Sequence, residues 1–246
     1  MKLAAITRDE VGPASVHPLG HACTRLREAR LLSPAAHPLW LVELELDDGA
    51  RLKWGTDHGD EALYVMEGEA EVDGRRCPVG GAVVVESGVA TTLLAVGRVR
   101  AAHFGGRGPA RRDGRVVHVF GPGGQWVSGR LEGVKAVWFT DSTCPTCRAA
   151  FFVVDSPDRF RGPSHSHTQD EIIYLLDGGV RMGAHLHGAG TALSIPANVR
   201  YAFDGLDGGH RFLNFRADVS YQTNAGAEPV LETAGAREGM YTGDLR

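Results

Sequence analysis

The sequence predicts an all-β protein built as two tandem antiparallel barrels. Three observations carry this: short apolar runs punctuated by glycine, an internal repeat, and the lack of long helical periodicity. Glycine supplies 33 of the 246 residues, and most of it separates short runs of Val, Leu, Ile and Phe. Short apolar runs bounded by turn residues are the sequence signature of sandwiches and barrels.

The repeat sets the domain organisation. Asp60 to Gly68 reads DEALYVMEG, and Asp170 to Gly178 reads DEIIYLLDG, at an offset of 110 residues. The same offset carries Gly80 onto Gly190 and Gly88 onto Asn198. In each copy an acidic pair leads into an apolar strand that ends at a glycine turn. A short return strand follows, then a second glycine, then a buried strand (AVVV or TALSI). Closing such a unit into a barrel removes exposed strand edges. The expected domains are 1–110 and 111–246, joined near Gly105 to Arg115.

Composition narrows the function classes. The net charge of −4 argues against a nucleic-acid partner, because little neutralises a run of phosphates. The basic stretch from Arg107 to Arg115 reads as a solvated linker. No segment approaches the ~20 apolar residues that span a bilayer, and the first residues lack the pattern of a secretory signal. The expectation is a cytoplasmic protein with a small-molecule substrate, no nucleic-acid or membrane partner, and a homodimer as a candidate assembly. Four cysteines in a chain of this length do not make a disulfide framework.

The second copy carries a specific resemblance. His165, His167, Glu171 and Gly178 stand at the spacing HxH-x3-E-x6-G, which resembles the first cupin motif. Gly190-TALSI-Pro196-Ala-Asn198 is similar to the second cupin motif. Together the copies resemble a bicupin of the quercetin-dioxygenase-like kind over roughly residues 40 to 220. The resemblance implies two tandem cupin barrels, each a double-stranded β-helix or jelly roll. It departs at the third histidine, whose position in the second motif is held by Tyr201.

The residues also argue for a metal directly. On a strand, residues i and i+2 share a face, so His165 and His167 project together, and Glu171 keeps the same parity. Two imidazoles and a carboxylate suit one divalent transition metal with open positions. Fe(II) is favoured, with Mn, Co, Ni, Cu and Zn compatible. The competing reading is a solvated His-x-His loop that binds nothing. Tyr201 is expected as a phenolate ligand, a hydrogen-bond donor or a base, with packing alone as the alternative. His185, His187 and His210 are substitutes for the missing ligand, the first two better placed on a surface hairpin. The first copy reads as degenerate: the matching positions are Gly55, Asp57, Glu61 and Thr91. It is expected to be structural, shaping a dimer face or covering the active pocket, with Asp57 and Glu61 as a weak cation site.

Asn214, Arg216 and Phe203 are expected to line a substrate pocket. Cys144 and Cys147 form a Cys-x-x-Cys, which without a histidine partner or second pair reads as a loop with two reduced thiols. The leading expectation is a metal-dependent oxygenase acting on a small organic molecule, with Glu171 and Tyr201 as catalytic groups. The alternatives are a metal-dependent isomerase or lyase with Tyr201 or Glu171 as base, and a non-catalytic small-molecule-binding barrel.

Overall fold

The structure, a computed structural model, describes residues 2–108, 111, 113–129 and 133–234. Pro109, Ala110 and Arg112 of the expected linker, and residues 235–246, lie outside the described residues. The strands in chain order are β1 (Ala4–Thr7), β2 (Ala22–Leu31), β3 (Leu39–Trp54), β4 (Glu61–Val72), β5 (Arg75–Pro78), β6 (Ala82–Val85), β7 (Thr91–Gly106) and β8 (Val117–Phe120). They continue as β9 (Trp126–Gly129), β10 (Lys135–Thr140), β11 (Ala150–Ser156), β12 (His165–His167) and β13 (Glu171–Met182). The last are β14 (His185–Gly188), β15 (Thr191–Ile195), β16 (Asp204–Arg216), β17 (Tyr221–Asn224) and β18 (Val230–Leu231). Among the described residues no helix is long and apolar enough to cross a membrane.

The chain forms two bodies. The first comprises Arg8–Gly124 with Pro145–Cys147, and the second Met1–Thr7, Gln125–Cys144 and Arg148–Arg246. In the first, the strands run β2-β3-β7-β4-β6-β8, with β5 paired to β4. In the second they run β1-β15-β13-β16-β11-β10-β9, with β14 paired to β13 and a separate β12-β17-β18 sheet. All pairings are antiparallel. The all-β class and the tandem cupin barrels expected from sequence are what the structure contains.

The expected boundary at 110/111 shifts. β8, beyond that point, pairs with β6 through Ala82↔Phe120 to Val85↔Val117. β1, at the other end of the chain, pairs with β15 through Ala4↔Ser194 to Thr7↔Thr191. The edge strands β6 and β15 would otherwise leave a row of backbone donors and acceptors unpaired. A repeat search finds the strands that resemble each other, but not the segments recruited to cover them.

The repeat is visible in the register. Glu61 faces Val85 as Glu171 faces Ile195, and Ala62 faces Phe104 as Ile172 faces Phe215. The turn glycines Gly68 and Gly178 have φ of 78° and 65°, the left-handed region that favours glycine. A Cβ on either would collide with a neighbouring backbone carbonyl, that of Arg98 or Gly209. Asn198, where the first copy has Gly88, also adopts a positive φ of 62°, which Asn tolerates better than most residues. Each barrel has its own apolar core. One gathers Trp40, Val42, Leu44, Leu63, Val65 and Val83, and the other Trp138, Phe152, Ile173, Leu175, Leu193 and Phe212.

Candidate metal centre

The structure brings most of the expected C-terminal residues together, but around a cation the protein supplies itself. His165 and His167 lie on β12, buried, with ring centroids 4.9 Å apart. Glu171 opens β13, while Asn214 and Arg216 point inward from β16. The Arg216 guanidinium is fully buried. Its Nη2 donates to Glu171 Oε1 at 2.6 Å and to His167 Nε2 at 3.0 Å. Its Nη1 lies 3.1 Å from Glu232 Oε1, and the group sits 5.8 Å from the Phe152 ring centroid. Glu171 also accepts from Tyr201 Oη and Asn214 Nδ2, each at 2.5 Å. His167 Nε2 accepts from Arg216, so the proton sits on Nδ1, which donates to Glu232 at 2.9 Å.

These residues do not fit a metal ion. The His167 nitrogen that would ligate is engaged by a guanidinium, and a second cation beside Arg216 would be strongly repelled. Among the described residues, two groups of three or more His, Cys, Asp or Glu have ligand atoms within 4.8 Å of one another, and His165, His167 and Glu171 are not one of them. Strand parity turns both histidines inward, but the cation that meets them comes from β16. Of the roles expected for Tyr201, hydrogen-bond donor is the one its contact with Glu171 fits. Burial, then the Glu171 carboxylate, pushes its pKa well above the ordinary phenol value, so it stays protonated as a donor rather than serving as phenolate or base. Burial opposes ionisation of Glu171, but Arg216, His167 and Tyr201 hold it at about 2. Asn214 and Arg216, expected on substrate, are spent on Glu171. Phe203 packs between Tyr201, His210 and Phe212.

The N-terminal barrel shows the opposite arrangement. His21 just before β2, Glu61 at the start of β4 and His103 on β7 bring their ligand atoms within 4.8 Å of one another. His103 Nε2 donates to Glu61 Oε2 at 2.9 Å, Trp54 Nε1 donates to the same oxygen at 2.6 Å, and His21 Nε2 lies 3.3 Å away. His17 Nε2 donates to His103 Nδ1 at 3.2 Å, and its own Nδ1 accepts from the Leu19 amide at 3.3 Å. The chain of donors is consistent from Leu19 to the carboxylate.

The electrostatics follow from this. Burial alone would raise the Glu61 pKa, but hydrogen bonds from His103 and His21 hold it well below the usual carboxylate range. Burial and the neighbouring His103 and His21 push His17 down to about 2. Burial also lowers His103, against the pull of Glu61. For His21, burial is outweighed by Glu61, and its pKa rises.

His21 and Glu61 line a cavity of about 970 Å³, with Trp40, Trp54, Lys53 and Arg107 among its walls. One position explains why this barrel is open. On β7, Gly105 pairs with Trp40 as Arg216 on β16 pairs with Ala150. A Cβ at Gly105 would collide with the Trp40 ring and come within 3.0 Å of Glu61 Cγ. Where the second barrel inserts an arginine, the first has no side chain.

Of the positions expected for a degenerate first copy, Gly55, Asp57, Glu61 and Thr91, Glu61 is the one in this group, beside His21 and His103. The gapless offset found Glu61 but aligned His103 with Leu213. In the register, His103 faces Leu63 as Asn214 faces Ile173, a shift of 214 − 103 = 111 rather than 110. The extra residue is in the Gly208-Gly209 turn, where the first copy has Gly97 alone. His21 lies upstream of the repeated segment, so no repeat search reaches it. The signal available was the His17-x3-His21 pair beside a strand.

Comparison with known proteins supports the fold. The sequence matches no protein-family model and no curated protein. Among solved structures, a point mutant of Bacillus subtilis oxalate decarboxylase is similar at 16% identity, with 91% of this chain and 80% of that chain covered and a TM-score of 0.65. A structure of the Bacillus subtilis enzyme described for its Mn(II) centres is similar at 16% identity, with the same coverage and a TM-score of 0.67. The enzyme at pH 4.6 is similar at 17% identity, with 89% and 77% covered and a TM-score of 0.63. The tandem barrels thus define a bicupin fold.

Proposed function

We propose that this protein is a metal-dependent enzyme acting on a small organic molecule, with its centre in the N-terminal barrel. The observation that carries the reading is the convergence of His21, Glu61 and His103 beside an open cavity. Two imidazoles and a carboxylate suit a divalent first-row metal with open positions, and the Mn(II) centres of a structural neighbour agree with that class. When bound, the metal supplies Lewis-acid activation and orients the substrate.

The chain's own groups do the rest. Glu61 is held ionised, and Trp54 fixes the orientation of its Oε2 oxygen. His103 ligating through Nε2 would carry its proton on Nδ1, and His17 Nε2 would accept it once the His17 proton moves to Nδ1, away from the Leu19 amide. A partner on the distal nitrogen is the usual device for fixing a ligating histidine. Trp40 and Trp54 give the cavity apolar walls, while Lys53 and Arg107 offer positive charge to a polar or anionic substrate group.

Redox-neutral cleavage is the favoured reaction class, since the structural neighbours are named as decarboxylases. Oxygenase chemistry is the second reading, resting on the same donor set with open positions. Elemental analysis of protein purified without added metal tests the centre. His21→Ala and His103→Ala should each lose one equivalent of metal, and His165→Ala should lose none. Retention of that equivalent in both N-terminal variants refutes the proposal. Turnover that persists without O₂ favours the first reaction class, and turnover that stops favours the second.

A further inference from the structure

We infer that the first body carries a second metal site, one that includes a thiolate and suits zinc, built on Glu86, His118 and Cys147. Glu86 follows β6, and His118 lies on β8, whose pairing sets Val84 opposite His118. Glu86, His118 and Cys147 each offer a ligand atom, and these lie within 4.8 Å of one another. Ligand atoms around a tetrahedral zinc stand about 3.3–3.8 Å apart, from bond lengths of about 2.0–2.3 Å, so a small contraction closes the set.

The carboxylate is already divided between two tasks. Glu86 Oε2 accepts from the Arg115 and Val116 amides at 2.6 and 3.0 Å. Oε1 is turned toward His118 Nε2 at 2.8 Å and Thr146 Oγ1 at 2.5 Å. Backbone amides thus anchor one oxygen and aim the other at the imidazole and the Cys-Pro-Thr-Cys turn. Glu86 and Cys147 are both fully buried.

On sequence alone this Cys-x-x-Cys lacked a partner. The fold supplies a histidine and a carboxylate from two strands more than twenty residues away. Soft thiolates favour zinc over magnesium, calcium or manganese. Three protein ligands from the first body leave one tetrahedral position for water or a further donor. The ion would fasten the Pro145–Cys147 turn to the β6–β8 edge.

Cobalt(II) titration of reduced, metal-free, full-length protein tests this apart from the proposed catalytic centre, which contains no sulfur. The expected result is a thiolate-to-cobalt charge-transfer absorption that saturates at one equivalent and is displaced by zinc. Cys147→Ser should abolish it, while His103→Ala, Cys23→Ser and Cys77→Ser should retain it. His118→Ala should weaken cobalt binding at least tenfold. Far-ultraviolet circular dichroism establishes that each metal-free variant is folded. Wild-type protein that gives no charge-transfer absorption, or a folded Cys147→Ser variant that keeps it, overturns the inference.

Discussion

Replacing Arg216 with Ala removes a cation shared by Glu171 and Glu232, whose side chains are only 1% and 0% exposed. Breaking a buried pair by deleting one partner typically costs about 3–5 kcal/mol. The local shift agrees in size. Burial opposes ionisation of Glu171, yet Arg216 and its other partners bring the carboxyl from 4.5 to about 2, which corresponds to about 3 kcal/mol at neutral pH. Tyr201 and Asn214 still donate to Glu171 after the substitution, and His167 still donates to Glu232, so a loss of about 3–5 kcal/mol is expected rather than more. The sign with pH is distinctive. In the wild type the folded pKa of Glu171 lies below the unfolded value, so its stabilisation is present above about 4.5 and is lost as pH falls toward about 2. In the variant, desolvation without a counter-charge raises the folded pKa, so protonation relieves the strain as the solution is acidified. The gap between wild type and variant should therefore be largest at pH 7 and shrink toward pH 4. Vacating the guanidinium also frees His167 Nε2. Zinc at one hundred times its dissociation constant would then restore about 2.7 kcal/mol, with no such gain in the wild type at that site. Urea unfolding followed by tryptophan fluorescence at both pH values reads the ion-pair loss, and the gain from zinc in the variant beyond that in the wild type reads the vacated site, because Trp138 sits in the same core. A destabilisation below about 1 kcal/mol, the range of exposed pairs, or one equal at both pH values, would refute the ion-pair account.

Gly105→Ala should place a methyl group against the Trp40 ring and Glu61, costing about 1–3 kcal/mol in thermal or urea unfolding and weakening metal retention in the first barrel. His17→Ala should lower affinity for that metal about 10–100-fold while leaving the three ligands in place, as chelator competition would show. His210 is buried and stacked on Phe212, with no hydrogen-bond partner on either nitrogen among the described residues, and burial lowers its pKa to about 4. Its neutral form is the stable one in the fold, so stability should fall by up to about 3 kcal/mol between pH 6.5 and pH 4 as the unfolded chain takes up the proton first. His210→Leu should flatten that part of the urea-unfolding pH profile.

The fold was legible because glycine turns and the repeated DE-apolar-G unit are local features. The acid of each site was legible for the same reason: Glu61 and Glu171 both stand at the second position of that unit. The remainder depended on long-range pairing. Strand parity put Asn214 and Arg216 on the pocket side correctly, but Glu232, 65 residues beyond His167, decides that Arg216 is an internal counter-charge. His103 was hidden by one inserted glycine, and His21 by lying outside the repeat. The His103 miss came from treating the two copies as superposable in sequence, whereas hydrogen-bond register, not residue count, fixes equivalence.

The pairing of β8 with β6 and of β1 with β15 has a practical corollary for anyone dissecting this molecule. A cut at residue 110 separates the repeats as text, yet it strips the first barrel of the segment that shields its outermost strand. Trimming seven residues from the other terminus does the same to the second. Fragments made in either way should self-associate through their bared flanks, whereas a fragment ending beyond Phe120 keeps that flank sheathed.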